Sequence, residues 1–464
     1  MVFSSLTFIF AFLPILLSGY YIMQDIKSKN IFLFIAGIFF YAWGEPACVW
    51  LILFSIAVNY WLGLIMGRIT SGKKLYLAAV IAFNLAILIF FKYSAFLAAN
   101  INAILPLHLP IPKVPLPIGI SFFTFKIISY LADIYRGTAA AEKNFIRFAL
   151  YVSLFSQLMA GPIARYSAIA PQLLGREHSL ALFKSGIERF ITGLAKKIIL
   201  ANNLALVADS VFNIKSGAFG TWSAWIGIIS YSMQIYLDFS GYSDMAIGLG
   251  QMFGFTVDEN FNYPYISKSV GEFWRRWHIS LGSFFRDYVY IPLGGSRCKN
   301  ILKNYRNLFI VWFLTGLWHG ASWTFICWGL YFGFFIAVER VFLSKLLAKS
   351  PALLQHLYLL LVTVLGWVFF RAGNFAESLL FFKRLAGMGP SRDITNPMLL
   401  LHDNGLLLIV SALACTPFLK GSAAQLSKHR LYPVFNSVVL LLLYAACIMY
   451  MSNSSYNPFI YFKF

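Results

Sequence analysis

Two Trp-His pairs dominate the residues able to do chemistry: Trp277-His278 in WRRWH and Trp318-His319 in TGLWHGASW (315–323). His319 interrupts a run from Asn307 to Val338, 32 residues with no Lys, Arg, Asp or Glu. Imidazole accepts and returns a proton at cellular pH. The chain has no G-x-S-x-G elbow, HExxH pair, Walker A loop or Rossmann fingerprint beside it. No metal and no bound cofactor are expected. A lone base suffices where the acyl donor is already activated, as a thioester is, because it then only deprotonates an acceptor hydroxyl. The competing reading of any buried histidine is satisfied packing.

Length decides between those readings for His319. One helix over 307–338 would run about 48 Å, well beyond a hydrocarbon core of about 30 Å. The run must fold back, tilt or break, and Gly316, Gly320, Ala321 and Ser322 mark a break at its midpoint. Irregular backbone at membrane depth is tolerated only where protein or a water-filled cavity satisfies it. His319 is therefore expected at a helix break facing the interior. Five other histidines lie near loops or helix ends and need no such explanation.

His278 lies in the most polar stretch, Asp258 to Arg306, which holds eight basic and four acidic residues. That excess predicts a cytoplasmic location. Within it, Phe273, Trp274, Trp277, Leu281, Phe284, Phe285 and Tyr288 form one helical stripe, predicting an amphipathic helix ended by Pro292 and Gly294-Gly295. Arg275, Arg276, Arg286 and Asp287 lie off the stripe. With Arg297 and Lys299 nearby, these arginines suit either donor phosphates or lipid headgroups. Trp318 is a further candidate at the site. Asp238 and Asp244, in YLDFSGYSDMAIG (236–248), either orient catalytic groups or pair with surplus basic residues.

The rest of the chain must hold these groups in a membrane. Of 464 residues, 59% are hydrophobic and 12% charged, against about 25% charged in ordinary globular domains. The class is an all-α polytopic membrane protein. Uncharged runs predict spans at 5–23, 30–44, 46–67, 75–91, 93–107, 116–132, 147–164, 186–208, 217–237, 307–320, 321–338, 352–370, 404–419 and 431–451. About eleven are expected to cross, with the rest re-entrant or interfacial. No charge precedes Asp25, so the first run reads as a retained helix kinked at Pro14, not a signal peptide. The net charge of +20 fits cytoplasmic loops on anionic lipid, so nucleic acid is not an expected partner. The five cysteines show no CxxC spacing. Without an internal repeat or linker, residues 1–464 read as one domain. The missing repeat also weighs against the alternative of a proton-coupled transporter.

The segments GEFWRRWHISLGSFFRDYVYIPLGGSR (271–297) and TGLWHGASW resemble the membrane-bound O-acyltransferases. PIGISFFTFKIISYLADIYRG (117–137), AGPIARY (160–166), YLDFSGYSDMAIG and the terminal NPFIYFKF extend the similarity to the bacterial branch acting in alginate acetylation and D-alanyl transfer. The resemblance implies a ring of helices around a thin centre pierced by a tunnel. It implies His319 as the catalytic histidine and His278 on the path to it. It implies a cytoplasmic thioester donor, acetyl-CoA or another acyl thioester, and an acceptor outside the inner membrane, such as an exported polysaccharide. A separate partner of the SGNH-hydrolase type is implied as well. D-alanyl or peptidoglycan-directed transfer would use the same chemistry.

Overall fold

The computed structural model describes residues 1–214, 217–296, 300–389 and 393–453. Every regular element among them is helical, which satisfies backbone groups internally where water is absent. Eight helices are long and apolar enough to cross a membrane: Ile26–Gly44, Pro46–Arg68, Lys73–Ile104, Leu180–Phe212, Trp323–Lys349, Ala352–Arg371, Pro397–Ala414 and Tyr432–Asn453. Phe8–Ile22 is apolar but shorter. The chain is a multi-pass, all-α membrane protein. Ile120–Arg136, Thr221–Met252 and Ile301–His319 overlap further expected spans but are shorter or more polar than the eight.

The chain divides into two compact units, Met1–Phe190 with Ser243–Asp258, and Ile191–Tyr242 with Glu259–Phe464. In the first, a π-turn over Phe8–Phe12 comes just before Pro14, and the Leu13 N–H reaches back to the Phe8 carbonyl. This wider turn accommodates a ring that cannot donate. Phe3, Phe8, Phe12, Phe40 and Phe155 pack around it. Buried Asn59 and Asn84 exchange amide hydrogen bonds of 2.9 and 2.8 Å, satisfying polar groups that would be costly alone.

Three expectations change here. The runs 75–91 and 93–107 form one helix, Lys73–Ile104. It holds no Gly or Pro, so nothing interrupts it. The short run 30–44, bounded by Glu45-Pro46, reads as a re-entrant or tilted piece; it belongs to Ile26–Gly44, a 19-residue helix long and apolar enough to cross. The run 147–164 is broken into Phe145–Ser153 and Phe155–Leu158 followed by irregular backbone, with Gly161-Pro162 closing the helical path.

The second unit carries both Trp-His pairs. Its site elements are α1 (Thr221–Met252, of which 221–242 belong to this unit), α2 (Val270–Arg276), α3 (Ile279–Phe285), α4 (Ile301–His319), α5 (Trp323–Val338) and α6 (Ala352–Arg371). Trp277, Trp328, Trp367, Phe273 and Phe332 are buried in one core cluster. Trp274 meets Trp312, Trp328 and Phe332 with ring centres 5.0, 5.4 and 4.9 Å apart, all near edge-to-face. Such pairs contribute about 0.5–1.5 kcal/mol each beyond their buried area. The single amphipathic helix expected over 271–288 is corrected: it splits into α2 and α3 at Trp277-His278, where His278 has φ 44°. The Asn262 N–H donates to the Arg276 carbonyl and the Ile279 N–H to the Asn260 carbonyl. These bonds divert backbone groups that a continuous helix would use. The turn expected at Pro292 and Gly294-Gly295 is present.

Candidate active site

The break expected near residue 320 is formed by local capping. Asn300 accepts from the Leu302 N–H and starts α4. The helix ends at His319, where Gly320 turns fully extended. Ser322 then accepts from the Thr324 N–H and starts α5. The two helices pack through small residues: a Cβ on Gly316 would lie 2.5 Å from the Phe325 carbonyl oxygen, and one on Gly329 would collide with the Trp312 carbonyl. Close backbone approach of this kind is the usual membrane solution.

His319 is 2% exposed. Trp318, Trp328 and Phe370 surround its imidazole, with ring centres at 4.8, 4.7 and 5.2 Å. His278 is equally buried and packs against Phe239 of α1 at 4.8 Å. Its Nδ1 lies 3.1 Å from Asn260 Oδ1. That oxygen also accepts from the Ser280 N–H and hydroxyl, at 3.2 and 2.9 Å, which fixes it as an acceptor. Nδ1–H therefore donates, and Nε2 carries the lone pair. Burial pushes His278 well below the ordinary imidazole pKa, toward the neutral form. Trp318 links the two histidines, its ring centre 5.8 Å from that of His278.

A cavity of about 690 Å³ opens beside them within this unit. His278, Trp274, Arg275, Arg286, Glu339 and Arg340 are among its lining residues. Along α4 the lining runs through Leu308, Val311, Trp312 and Thr315. His319 follows Thr315 by four residues, so it is next on the same helical face. His278 meets the cavity directly, whereas His319 lies one turn beyond its lining.

The other expected residues separate. Arg275 and Arg286 line the cavity. Arg286 also binds Asp287, at 2.7 and 3.1 Å. Arg276 bonds Glu272 at 2.9 Å and the Asn262 carbonyl at 3.2 Å, and is not a lining residue. Asp238 forms a buried ion pair with Lys197 at 2.7 Å. In the first unit, Asp244 pairs with Arg189 at 2.9 Å. The pairing reading of both aspartates thus has named partners, and neither lines the cavity. Arg297 and Lys299 lie outside the described residues, as does the NPFIYFKF tail.

Two residues at the site escaped the sequence reading. Asn260 had no distinguishing pattern. Glu339 had a signal that went unused, being the first charge after the 32-residue uncharged run. Its carboxylate is 6% exposed and accepts the Val270 and Gly271 N–H groups, at 2.6 and 2.9 Å.

Residues 35–380 match the model of the membrane-bound O-acyltransferase family, MBOAT. A probable alginate O-acetylase AlgI of Pseudomonas putida is 39% identical over 489 aligned residues, covering 100% of each chain. A peptidoglycan O-acetyltransferase of Helicobacter pylori is 34% identical over 495, covering 98% of this chain and 90% of the relative. A teichoic acid D-alanyltransferase of Bacillus subtilis is 30% identical over 261, covering 51% and 65%. The family match takes in both histidines, the α4–α5 break and every residue that lines the cavity. The chain belongs to the membrane-bound O-acyltransferases and is a multi-pass O-acyltransferase.

Proposed function

We propose that this enzyme moves an acetyl group from a cytoplasmic thioester, acetyl-CoA or a similar donor, toward a hydroxyl acceptor, for O-acetylation of an exported or cell-envelope polysaccharide. The observation that carries this reading is His319 at the α4–α5 break, joined through Trp318 to His278 on the wall of an arginine-lined cavity. The 39% identity to a probable alginate O-acetylase along the whole chain supports the acetyl cargo and the polysaccharide acceptor. His319 takes the proton of the acceptor hydroxyl. The oxygen attacks the thioester carbonyl, the C–S bond breaks, and the proton passes to the departing thiolate. The products are an ester and a free thiol. His278 orients or relays beside the donor, and Arg275 and Arg286 meet donor phosphates.

The family match runs through segments of both units, so the whole chain is read as one acyltransferase domain. Its place is the bacterial cytoplasmic membrane, with an SGNH-type partner completing transfer. The test is label transfer from [14C]acetyl-CoA to polymer in membranes bearing wild-type or His319→Ala protein at equal levels. Transfer by wild type alone is expected. Equal transfer by the variant removes the central claim. A second acceptor, peptidoglycan, is favoured by the 34% identity to a peptidoglycan O-acetyltransferase over nearly the whole chain; the labelled polymer distinguishes the two.

A further inference from the structure

We infer that Glu339 is a positioning residue that sets His278 against His319. The inference rests on the proposed roles of the two histidines. Glu339 directly follows α5, the helix whose Trp328 stacks edge-on against His319, ring centres 4.7 Å apart. Its two carboxylate oxygens accept the Val270 and Gly271 N–H groups, the first two of α2. The other end of α2 leads through Trp277 into His278. One side chain thus fastens the start of the His278 segment to the end of the helix that braces His319. Asn260 fastens the far end, through the His278 ring and the Ile279 N–H.

Three further features fit this role. Tyr358 of α6 donates to Glu339 Oε1 at 3.2 Å and orients it. Position 271 is glycine, and a Cβ there would lie 3.3 Å from Glu339 Oε2, a distance that would press on the contact. A two-oxygen carboxylate matches two converging N–H donors, whereas an amide offers one oxygen and turns its NH2 toward the other donor. The α2 segment depends on this grip because it is only seven residues long and ends at a left-handed His278. Short helices draw their stability from tertiary contacts.

The test compares full-length wild type with Glu339→Gln, Glu339→Ala and Tyr358→Phe, each purified in detergent and corrected for folded protein. Two readouts are taken. The first is hydrogen exchange over 269–280. Faster exchange is expected there in the order Ala, Gln, wild type, with 352–371 unchanged. The second is acetyl transfer. kcat is expected to fall about tenfold or more in Glu339→Gln, with KM for acetyl-CoA rising by a smaller factor, since the loosened α2 carries Arg275 as well as leading into His278. Unchanged exchange over 269–280, or unchanged kcat per folded molecule, overturns the inference. If the Glu339 variants do not fold, Tyr358→Phe carries the test: a several-fold kcat loss with faster 269–280 exchange supports it, and wild-type values for both reject it. If wild type transfers no acetyl group, the functional reading fails, and the exchange measurement still decides whether Glu339 holds the segment.

Discussion

His278 and His319 share one indole: the Trp318 ring centre lies 5.8 Å from the first imidazole and 4.8 Å from the second. The two histidines come from segments 41 positions apart in sequence, and Trp318 touches both. Trp318→Phe keeps a flat ring and is expected to retain most activity. Trp318→Ala is expected to lose about a hundredfold, because a displacement near 1 Å at reacting groups has that effect. Wild-type turnover by Trp318→Ala at matched protein levels would show that this contact is not used.

His319→Ala is expected to insert normally and to lose about 10²–10⁴-fold in acetyl transfer, the range of general-base catalysis. Insertion should be unaffected because the α4–α5 break is made by Gly320 and the Ser322 cap, not by the imidazole. Protease mapping of the loops, run beside the transfer assay, separates a chemical defect from a folding one.

The pH dependence of stability follows from His278. Its folded pKa lies well below the unfolded value of about 6.5, so near neutral pH both states are unprotonated and the residue is neutral in its effect. Below about pH 6.5 the unfolded chain binds a proton that the folded site refuses. Stability therefore falls as pH falls through this window. His278→Gln is expected to flatten the fall, measured as Tm between pH 7 and 5. A wild-type slope in that variant assigns the effect elsewhere.

The buried Lys197–Asp238 pair is tested by a double-mutant cycle. Asp238→Leu or Lys197→Met alone strands one buried charge and is expected to cost about 3–5 kcal/mol; the double variant Lys197→Met/Asp238→Leu removes both and should cost much less. Additive losses in thermal unfolding would deny the coupling.

Gly329→Ala places a methyl group against the Trp312 carbonyl, with Gly316 backbone atoms at 2.9 and 3.0 Å. Overpacking of about 1–3 kcal/mol is expected, together with loss of turnover as α4 and α5 separate. Gly421→Ala has open space at its Cβ and serves as the control. Equal Tm values for the two variants would contradict the close helix approach.

Much of this was legible in the sequence because membrane physics leaves few choices. A deficit of charge and an excess of apolar length specify spanning helices, and 32 uncharged residues with Gly320 and Ser322 at the middle specify a break. Length alone was not enough. Lys73–Ile104 is also 32 residues and stays one helix, because it holds no glycine or proline to interrupt it. The apolar stripe over 271–288 predicted one helix since periodicity reports which residues face inward, not whether the backbone is continuous. Asn260 and Asn262, distant in pattern from that stripe, take the backbone bonds that split it.

The sequence by itself determined the class, the break, the two Trp-His pairs and the resemblance to a family, all set by local composition and spacing. Only the tertiary structure decided which charges line the cavity and which are spent on each other. Arg275 and Arg286 line it, Arg286 while also bound to Asp287, whereas Arg276, Asp238 and Asp244 are paired with Glu272, Lys197 and Arg189 away from it. It alone brought His278 to Trp318 and Glu339 to the Val270 N–H, contacts 40 and 69 residues apart in the chain. Pairings at that separation depend on how helices pack, and helical periodicity carries no information about which distant face a side chain will meet.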